Sequence, residues 1–492
     1  MDAGSKSSSS GPLHLVIFPW LAFGHLLPYL ELAERVASRG HRVSFVSTPR
    51  NIARLPPVRP AATARVDLVA LPLPRVDGLP DGAECTNDVP SGKFDLLWKA
   101  FDALAAPFAE FLGAACRDAG DGERRPDWII ADTFHHWAPL VALQHKVPCA
   151  MLLPSASMMV GWAIRSSEPA GASMFEVLGA VEERRMDMPW YEWEQKAALF
   201  VADGASGMSI MKRCSLAMER CTVAAMRSCP EWEPEAFQQV AAGLKKKNKP
   251  LIPLGLVPPS PDGGRRRAGS MSTDNSTMQW LDAQPAKSVV YVALGSEVPL
   301  RLEQVHELAL GLELAGTRFL WALRKPAGVD AADDVLPPGY RERTNGHGHV
   351  AMGWVPQIAI LAHAAVGAFL THCGRNSLVE GLMFGNPLIM LPIFTDQGPN
   401  ARLMEGNKVG LQVRRDDTDG SFDRHGVAAA VRAVMVEEET RRVFVASALR
   451  MQKIVTDKEL HERYIDDFIQ QLVSHVADSS CNIATPVPSS SS

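Results

Sequence analysis

The strongest constraint in this chain is a repeated alternation. Short, almost uninterrupted apolar runs are each followed by a segment of helical spacing, and the pattern is laid out twice with a Pro-, Gly- and Ser-rich stretch between. The first instance reads strand, turn, helix, strand in "LHLVIFPW", "LAFGH", "LLPYLELAERVASRG" and "HRVSFVST". Leu26, Leu30, Ala33 and Ala37 recur at helical spacing, Pro28 falls in the first turn of that helix, and Gly40 ends it. This is a βαβ unit. Runs such as "WIIAD" and "CAMLL" are apolar throughout, the pattern of strands covered on both faces, and they extend the unit into a parallel sheet between helix layers.

The alternation restarts at "SVVYVALGS" and continues through "VHELALGLELAG", "RFLWALR", "HVAMGW", "AVGAFLTHCG", "NSLVEGLMFG" and "PLIMLPIF". At 492 residues the chain is long enough for two such units, each burying its own core. The expected fold class is α/β, with two doubly wound, Rossmann-like domains facing a cleft. Residues 1–255 make the first, with a Met-rich, variable helical region at 155–230 as a pocket wall, and 256–276 make a linker. Residues 277–457 make the second domain, and 458–492 a closing amphipathic helix, "ELHERYIDDFIQQLVSHV", followed by a disordered tail.

Composition removes several function classes. A net charge of -5 gives no general attraction to nucleic acid or anionic membranes, and no run approaches the ~18 apolar residues of a membrane span. The apolar start "LHLVIFPWLAF" contains His14 and Pro19 and reads as a buried strand rather than a signal peptide. Eight scattered cysteines match no zinc or redox spacing, so a reduced, cytoplasmic setting is expected. The basic runs "KKKNK" and "RRR" read as solvated connector, and "DDTDG" (Asp416 to Gly420) as a polar turn rather than a metal site.

Two doubly wound domains place the open ends of both sheets across a cleft, where such folds bind ligands. Neither carries a Walker loop or a G-x-G-x-x-G after its first strand, which removes the main support for ATP or NAD. The second offers "THCGRNS", Thr371 to Ser377, directly before a helix. Backbone N–H groups there form an anion site suited to a diphosphate, the competing reading being an ordinary Asn or Ser cap.

The span from Trp354 to Gln397, "WVPQIAILAHAAVGAFLTHCGRNSLVEGLMFGNPLIMLPIFTDQ", resembles the sugar-nucleotide signature box of plant UDP-dependent glycosyltransferases. "FGH" after the first strand and "IIADTFHHWA" after a later one are similar to that family's catalytic positions. The chain thus resembles the family-1 plant glycosyltransferases of two-domain GT-B fold. "PWLAFGHLLPYLELAERVASRGHRVSFVSTPRNI" and "LPDGAECTNDVP" look closer still to the branch-forming group that adds sugar to sugar, including grass enzymes acting on steviol glycosides.

The resemblance implies a role for each matching position. Trp354 stacks on uracil, with the Val355 backbone and Gln357 on its edge, and Glu380 takes the ribose hydroxyls. Ser296, His372, Gly374, Asn376 and Ser377 surround the diphosphate, and Asp396 with Gln397 reads the sugar. His25 is the general base for an inverting transfer, oriented by Asp132, and Phe23, Gly24, Met158 and Phe394 join His25 on the acceptor side. Met158, Met159, Met208 and Met211 suit a broad apolar pocket.

Neutral donors around a diphosphate make a metal unnecessary, so no metal or other cofactor is expected, with UDP-sugar a co-substrate. The expected activity is transfer of glucose from UDP-glucose to a glycosylated terpenoid (steviol-type) or flavonoid, by a monomer with no nucleic-acid partner and no membrane insertion. Arg375 departs from the family's usual Trp, and an Arg there can reach a carboxylate. A UDP-glucuronic acid-dependent transferase is therefore the main alternative, and a non-catalytic sugar-nucleotide or glycoside binding protein the other. Gln397 closes the box as in glucose-using enzymes.

Overall fold

The computed structural model describes residues 11–117, 125–154, 189, 191–192, 203–204, 206–260, 276–295, 300–326, 335–394 and 396–483. Seven strands make the first sheet: β1 (His14–Phe18), β2 (Arg42–Ser47), β3 (Val66–Ala70), β4 (Trp128–Asp132), β5 (Cys149–Leu153), β6 (Val223–Met226) and β7 (Leu251–Pro253). Their order is β3-β2-β1-β4-β5-β6-β7, and every pairing is parallel. Six more, β8 (Val289–Ala293), β9 (Arg318–Leu323), β10 (Gly348–Met352), β11 (Val366–Thr371), β12 (Leu388–Met390) and β13 (Gly410–Gln412), make the second. This sheet runs β10-β9-β8-β11-β12-β13, again all parallel. The chain therefore folds as two Rossmann-like α/β domains of GT-B type.

The central strands of both sheets are buried on both faces, as their apolar runs require, while the edge strands β3 and β10 are partly exposed. Leu15 and Ile17 of β1 enter one core cluster while Val16 and Phe18 enter the cluster on the opposite face. In β8, Val289 and Tyr291 separate from Val290 and Val292 in the same way. The chain crosses between domains at Leu254, packed in the first domain's core, and Leu256, packed in the second's. Most of the expected linker lies outside the described residues.

The helix Lys458–Ile483 returns to the first domain. Ile465, Phe468, Ile469 and Leu472 join the core beneath β1, the Leu472 carbonyl accepts from Trp128 Nε1 at 3.1 Å, and Glu462 pairs with Arg35 and Arg39. Among the described residues no helix is long and apolar enough to cross a membrane.

Two elements differ from the sequence reading. The helix after β1 begins at Phe23, so Gly24 and His25 lie in its first turn and Pro28 lies inside it. The region expected to be helical, 155–230, contributes β6 after the helix Ile210–Arg220; "VAAM" is short, with Val223 its one β-branched residue and no aromatic, so it carries little of the composition that marks a strand.

Candidate active site

In each sheet the strand order reverses beside the first strand, between β1 and β4 in one and between β8 and β11 in the other. Such switch points open a crevice at the strands' C-terminal ends. The sequence motifs sit at these ends. His25 follows β1 and Asp132 ends β4; Gly295 follows β8 and His372 follows β11.

His25 Nδ1 lies 2.7 Å from Asp132 Oδ2, which also accepts the Trp20 N–H at 3.1 Å. The Asp132 side chain is 1% exposed, whereas that of His25 is 23% exposed. Burial pushes the Asp132 carboxyl up, but the field and hydrogen bond of His25, joined by the field of His135 and the Trp20 N–H, outweigh it and hold the group below the usual carboxylate range. Contact of Nδ1 with a buried carboxylate is the arrangement in which a histidine base exchanges its proton through Nε2. Trp98 stacks on Trp20 at 3.8 Å and meets Phe134 edge-on, and Phe134 lies 5.8 Å from the His25 ring. This aromatic wall beside the histidine was not singled out in the sequence.

Across the cleft, the helix Arg375–Met383 starts at the end of β11 without a side-chain cap, which removes the simple capping role for Asn376 and Ser377. Its approach is tight. Cys373 takes a left-handed φ of 66°, costing about 1–2 kcal/mol, and Thr371 Oγ1 accepts its N–H. His372 packs against Gly295, whose φ is +77° and where a Cβ would meet the imidazole Nε2 at 2.6 Å. Burial pushes the His372 pKa down to about 4, so it is a neutral donor or acceptor, and among the described residues its Nδ1 has no hydrogen-bond partner.

Trp354 follows Gly353, whose φ of +93° turns the chain out of β10, and its indole is 45% exposed. An ordinary core Trp would be covered. Val355 is partly buried against the second core, and its carbonyl accepts the Gln357 N–H. The Gln357 side chain is engaged inside the protein: its Oε1 accepts from the Tyr291 hydroxyl at 3.1 Å and its Nε2 donates to Glu380 Oε2 at 2.6 Å. Gln357 therefore aims Glu380 rather than standing open to a ligand. Burial pushes the Glu380 carboxyl up to about 7, against the pull of Gln357 and Arg227.

Asp396 and Gln397 open the helix Gln397–Gly406. Gln397 Oε1 accepts from the Ile393 and Phe394 N–H groups, which fixes the Phe394 loop. Asn400, buried and not expected from the sequence, donates to both the Cys373 carbonyl and Asp396 Oδ2, tying the two loops together.

Arg375 and Asn376 turn toward the first domain. The Arg375 guanidinium donates to the Arg227 carbonyl at 2.9 Å, pairs with Glu233 at 3.1 Å and lies over the Trp232 ring. Asn376 Oδ1 accepts from Arg227 Nη1 at 2.6 Å while its Nδ2 donates to the Gly24 carbonyl at 3.1 Å. Phe23 is partly buried against the first core and Gly24 is exposed beside His25. Ser296 and Met158 lie outside the described residues. Among the described residues no group of three or more His, Cys, Asp or Glu is placed to hold a metal ion, and Asp416 uses its carboxylate to close its own turn on Thr418 and Asp419.

The chain that carries these groups is similar along most of its length to known proteins. Residues 262–460 match the family "UDP-glucoronosyl and UDP-glucosyl transferase". UDP-glycosyltransferase 91D2 of Stevia rebaudiana is 40% identical, covering 94% of both chains. UDP-glycosyltransferase 91B1 of Arabidopsis thaliana is 39% identical, covering 94% of this chain and 98% of its own. The crystal structure of Glycyrrhiza uralensis UGT73P12 complexed with glycyrrhetinic acid 3-O-monoglucuronide superposes with a TM-score of 0.75 at 21% identity, covering 96% of this chain and 98% of that one. With such identity along nearly the whole chain, this protein belongs to the plant family-1 UDP-glycosyltransferases.

Proposed function

We propose that the chain is an inverting transferase that moves glucose from UDP-glucose to a sugar hydroxyl of a terpenoid (steviol-type) or flavonoid glycoside, without a metal. The observation that carries this reading is the His25–Asp132 pair: a partly exposed imidazole on a buried carboxylate, at the mouth of the cleft opposite the helix Arg375–Met383. An acceptor hydroxyl is a weak nucleophile at neutral pH. His25 Nε2 takes its proton as the oxygen attacks the anomeric carbon, and Asp132 stabilises the imidazolium that forms. UDP departs from the opposite face, its charge met by first-turn N–H groups and neutral His372.

Trp354 serves as the uracil platform and Glu380, aimed by Gln357, accepts from the ribose. Asp396 and Gln397 read the sugar. Arg375 supports an uncharged donor sugar: its guanidinium is engaged by Glu233, Trp232 and the Arg227 carbonyl rather than held for a carboxylate at C6. Trp20, Trp98 and Phe134 suit the C–H faces of a pyranose or of a fused apolar scaffold.

The test compares kcat/KM for UDP-glucose and UDP-glucuronic acid with a steviol glycoside and with its aglycone. The reading requires UDP-glucose and the glycoside to be preferred. A preference for UDP-glucuronic acid that Arg375→Trp reverses overturns the donor, faster transfer to the aglycone overturns the acceptor, and UDP binding without any transfer favours a binding protein.

A further inference from the structure

Pro28 sits inside the helix Phe23–Ser38, and a proline has no N–H to give the carbonyl four residues before it. That carbonyl belongs to Gly24, the neighbour of His25. Its donor comes from the other domain, as Asn376 Nδ2 at 3.1 Å. Arg227, just beyond β6, settles which way the Asn376 amide faces. A guanidinium only donates, so the oxygen must turn to Arg227 Nη1 and the nitrogen to Gly24.

Arg227 is held in turn. Its Nε donates to the Leu256 carbonyl at the domain crossing, and its own carbonyl accepts from Arg375, which is paired with fully buried Glu233. Two successive residues of the second domain thus close a ring with the first: Arg375 grips the Arg227 backbone, and the Arg227 side chain grips Asn376. Burial and then Arg375 push the Arg227 pKa down to about 9. Since a guanidinium keeps its proton in a protein, the depression marks the electrostatic cost of placing it there.

We propose that Asn376, oriented by Arg227 and braced by Arg375–Glu233, is a positioning residue for the base: it ties the His25 turn to the start of the helix Arg375–Met383 and so sets the acceptor oxygen against the donor's anomeric carbon. This rests on the transferase reading above and departs from it at one point. The side-chain amide of Asn376 works across the cleft, not on the diphosphate. Misplacing reacting atoms by about 1 Å costs on the order of 100-fold in rate, so the relay acts on turnover.

The experiment takes the full chain as Asn376→Ala, Arg227→Met, the double variant and Pro28→Ala, measuring kcat, the KM for UDP-glucose and thermal melting. The single variants at 376 and 227 are expected to lower kcat roughly tenfold or more while KM stays within about threefold, and the double variant to be no worse than the poorer single. Pro28→Ala gives Gly24 a helical partner and is expected to lower kcat with unchanged or raised melting temperature. An Arg227→Met that fails to fold leaves Asn376→Ala and Pro28→Ala to decide. A raised KM with kcat retained in Asn376→Ala makes its amide a diphosphate ligand and overturns the proposal, as do additive losses.

NMR of the His25 ring supplies a readout independent of turnover. Its resonance and titration midpoint are expected to move in Asn376→Ala, and an unmoved ring overturns the relay. Absence of transfer by the unaltered chain would instead count against the transferase reading and leave the NMR test standing.

Discussion

Asp132 Oδ2 accepts from both His25 Nδ1 and the Trp20 backbone N–H, so the imidazole hangs on a carboxylate that is itself fixed to the end of β1. On the proposed mechanism, removing the ring removes the base, while the nucleotide is held across the cleft by the other domain. His25→Ala is expected to abolish transfer with UDP affinity unchanged by calorimetry. Asp132→Asn keeps the shape but supplies no charge for the imidazolium, and is expected to lower kcat at least roughly tenfold. Near-normal turnover in His25→Ala removes the mechanism.

Trp354 is the exposed indole of the site, at 45% of its surface. Stacking of a base on an aromatic is worth about 1–3 kcal/mol, or roughly 5- to 150-fold in Kd. Trp354→Ala is expected to weaken UDP binding within that range and to leave the melting temperature nearly unchanged, because little of the indole contributes to a core. A large drop in melting temperature without loss of UDP affinity would make the residue structural.

Gly295 combines a left-handed backbone with contact to His372, and Gly316 separates the two effects. Gly295 has φ +77° and a prospective Cβ 2.6 Å from the imidazole; Gly316 has φ +70° and nothing within 4 Å. Both Ala variants bear a backbone cost of about 1–2 kcal/mol. Only Gly295→Ala displaces His372, so it alone is expected to raise the Kd for UDP-glucose, by roughly tenfold or more. Equal donor affinity in the two variants would take His372 out of the site.

Local chemistry explains what the sequence displayed and what it hid. Continuous apolar strands declared two parallel sheets, and "FGH", "IIADTF" and "THCGRNS" sat where such sheets keep their ligands. Arg227 and Asn376 meet over 149 residues of chain, and nothing beside either announces the other. Pro28 was legible only as a helix residue, since the consequence of its missing N–H lies in the second domain. The engagement of Gln357 by Tyr291 and Glu380 was hidden for the same reason, as three separate elements supply the three groups.

On the proposed mechanism, N–H groups of the helix start and neutral side chains stabilise departing UDP, and no divalent ion is required. Saturating chelator is expected to leave the transfer rate almost unchanged. A large loss restored by Mg²⁺ would contradict this.

In the proposed donor site, Glu380 is expected to tie UDP-glucose binding to pH near neutrality. Burial pushes its pKa from the ordinary 4.5 up to about 7, with Gln357 and Arg227 opposing. As the proposed ribose ligand Glu380 would accept from both hydroxyls in its ionised form, so affinity for UDP-glucose is expected to be lost as pH falls through about 7 and to level off above it, with a limiting slope of about tenfold per pH unit. Stability takes the opposite sign. Because the folded-state pKa is raised, the native protein keeps a proton that the unfolded chain has lost, so the contribution of Glu380 is fully present below about 4.5 and is lost as pH rises through about 7. Calorimetric titration between about pH 6 and pH 8 checks the first sign, with UDP-glucose as ligand because its esterified diphosphate does not titrate there. Glu380→Gln is expected to bind weakly with a flat profile, and a pH dependence as steep as that of the unaltered chain would assign the titration to another group.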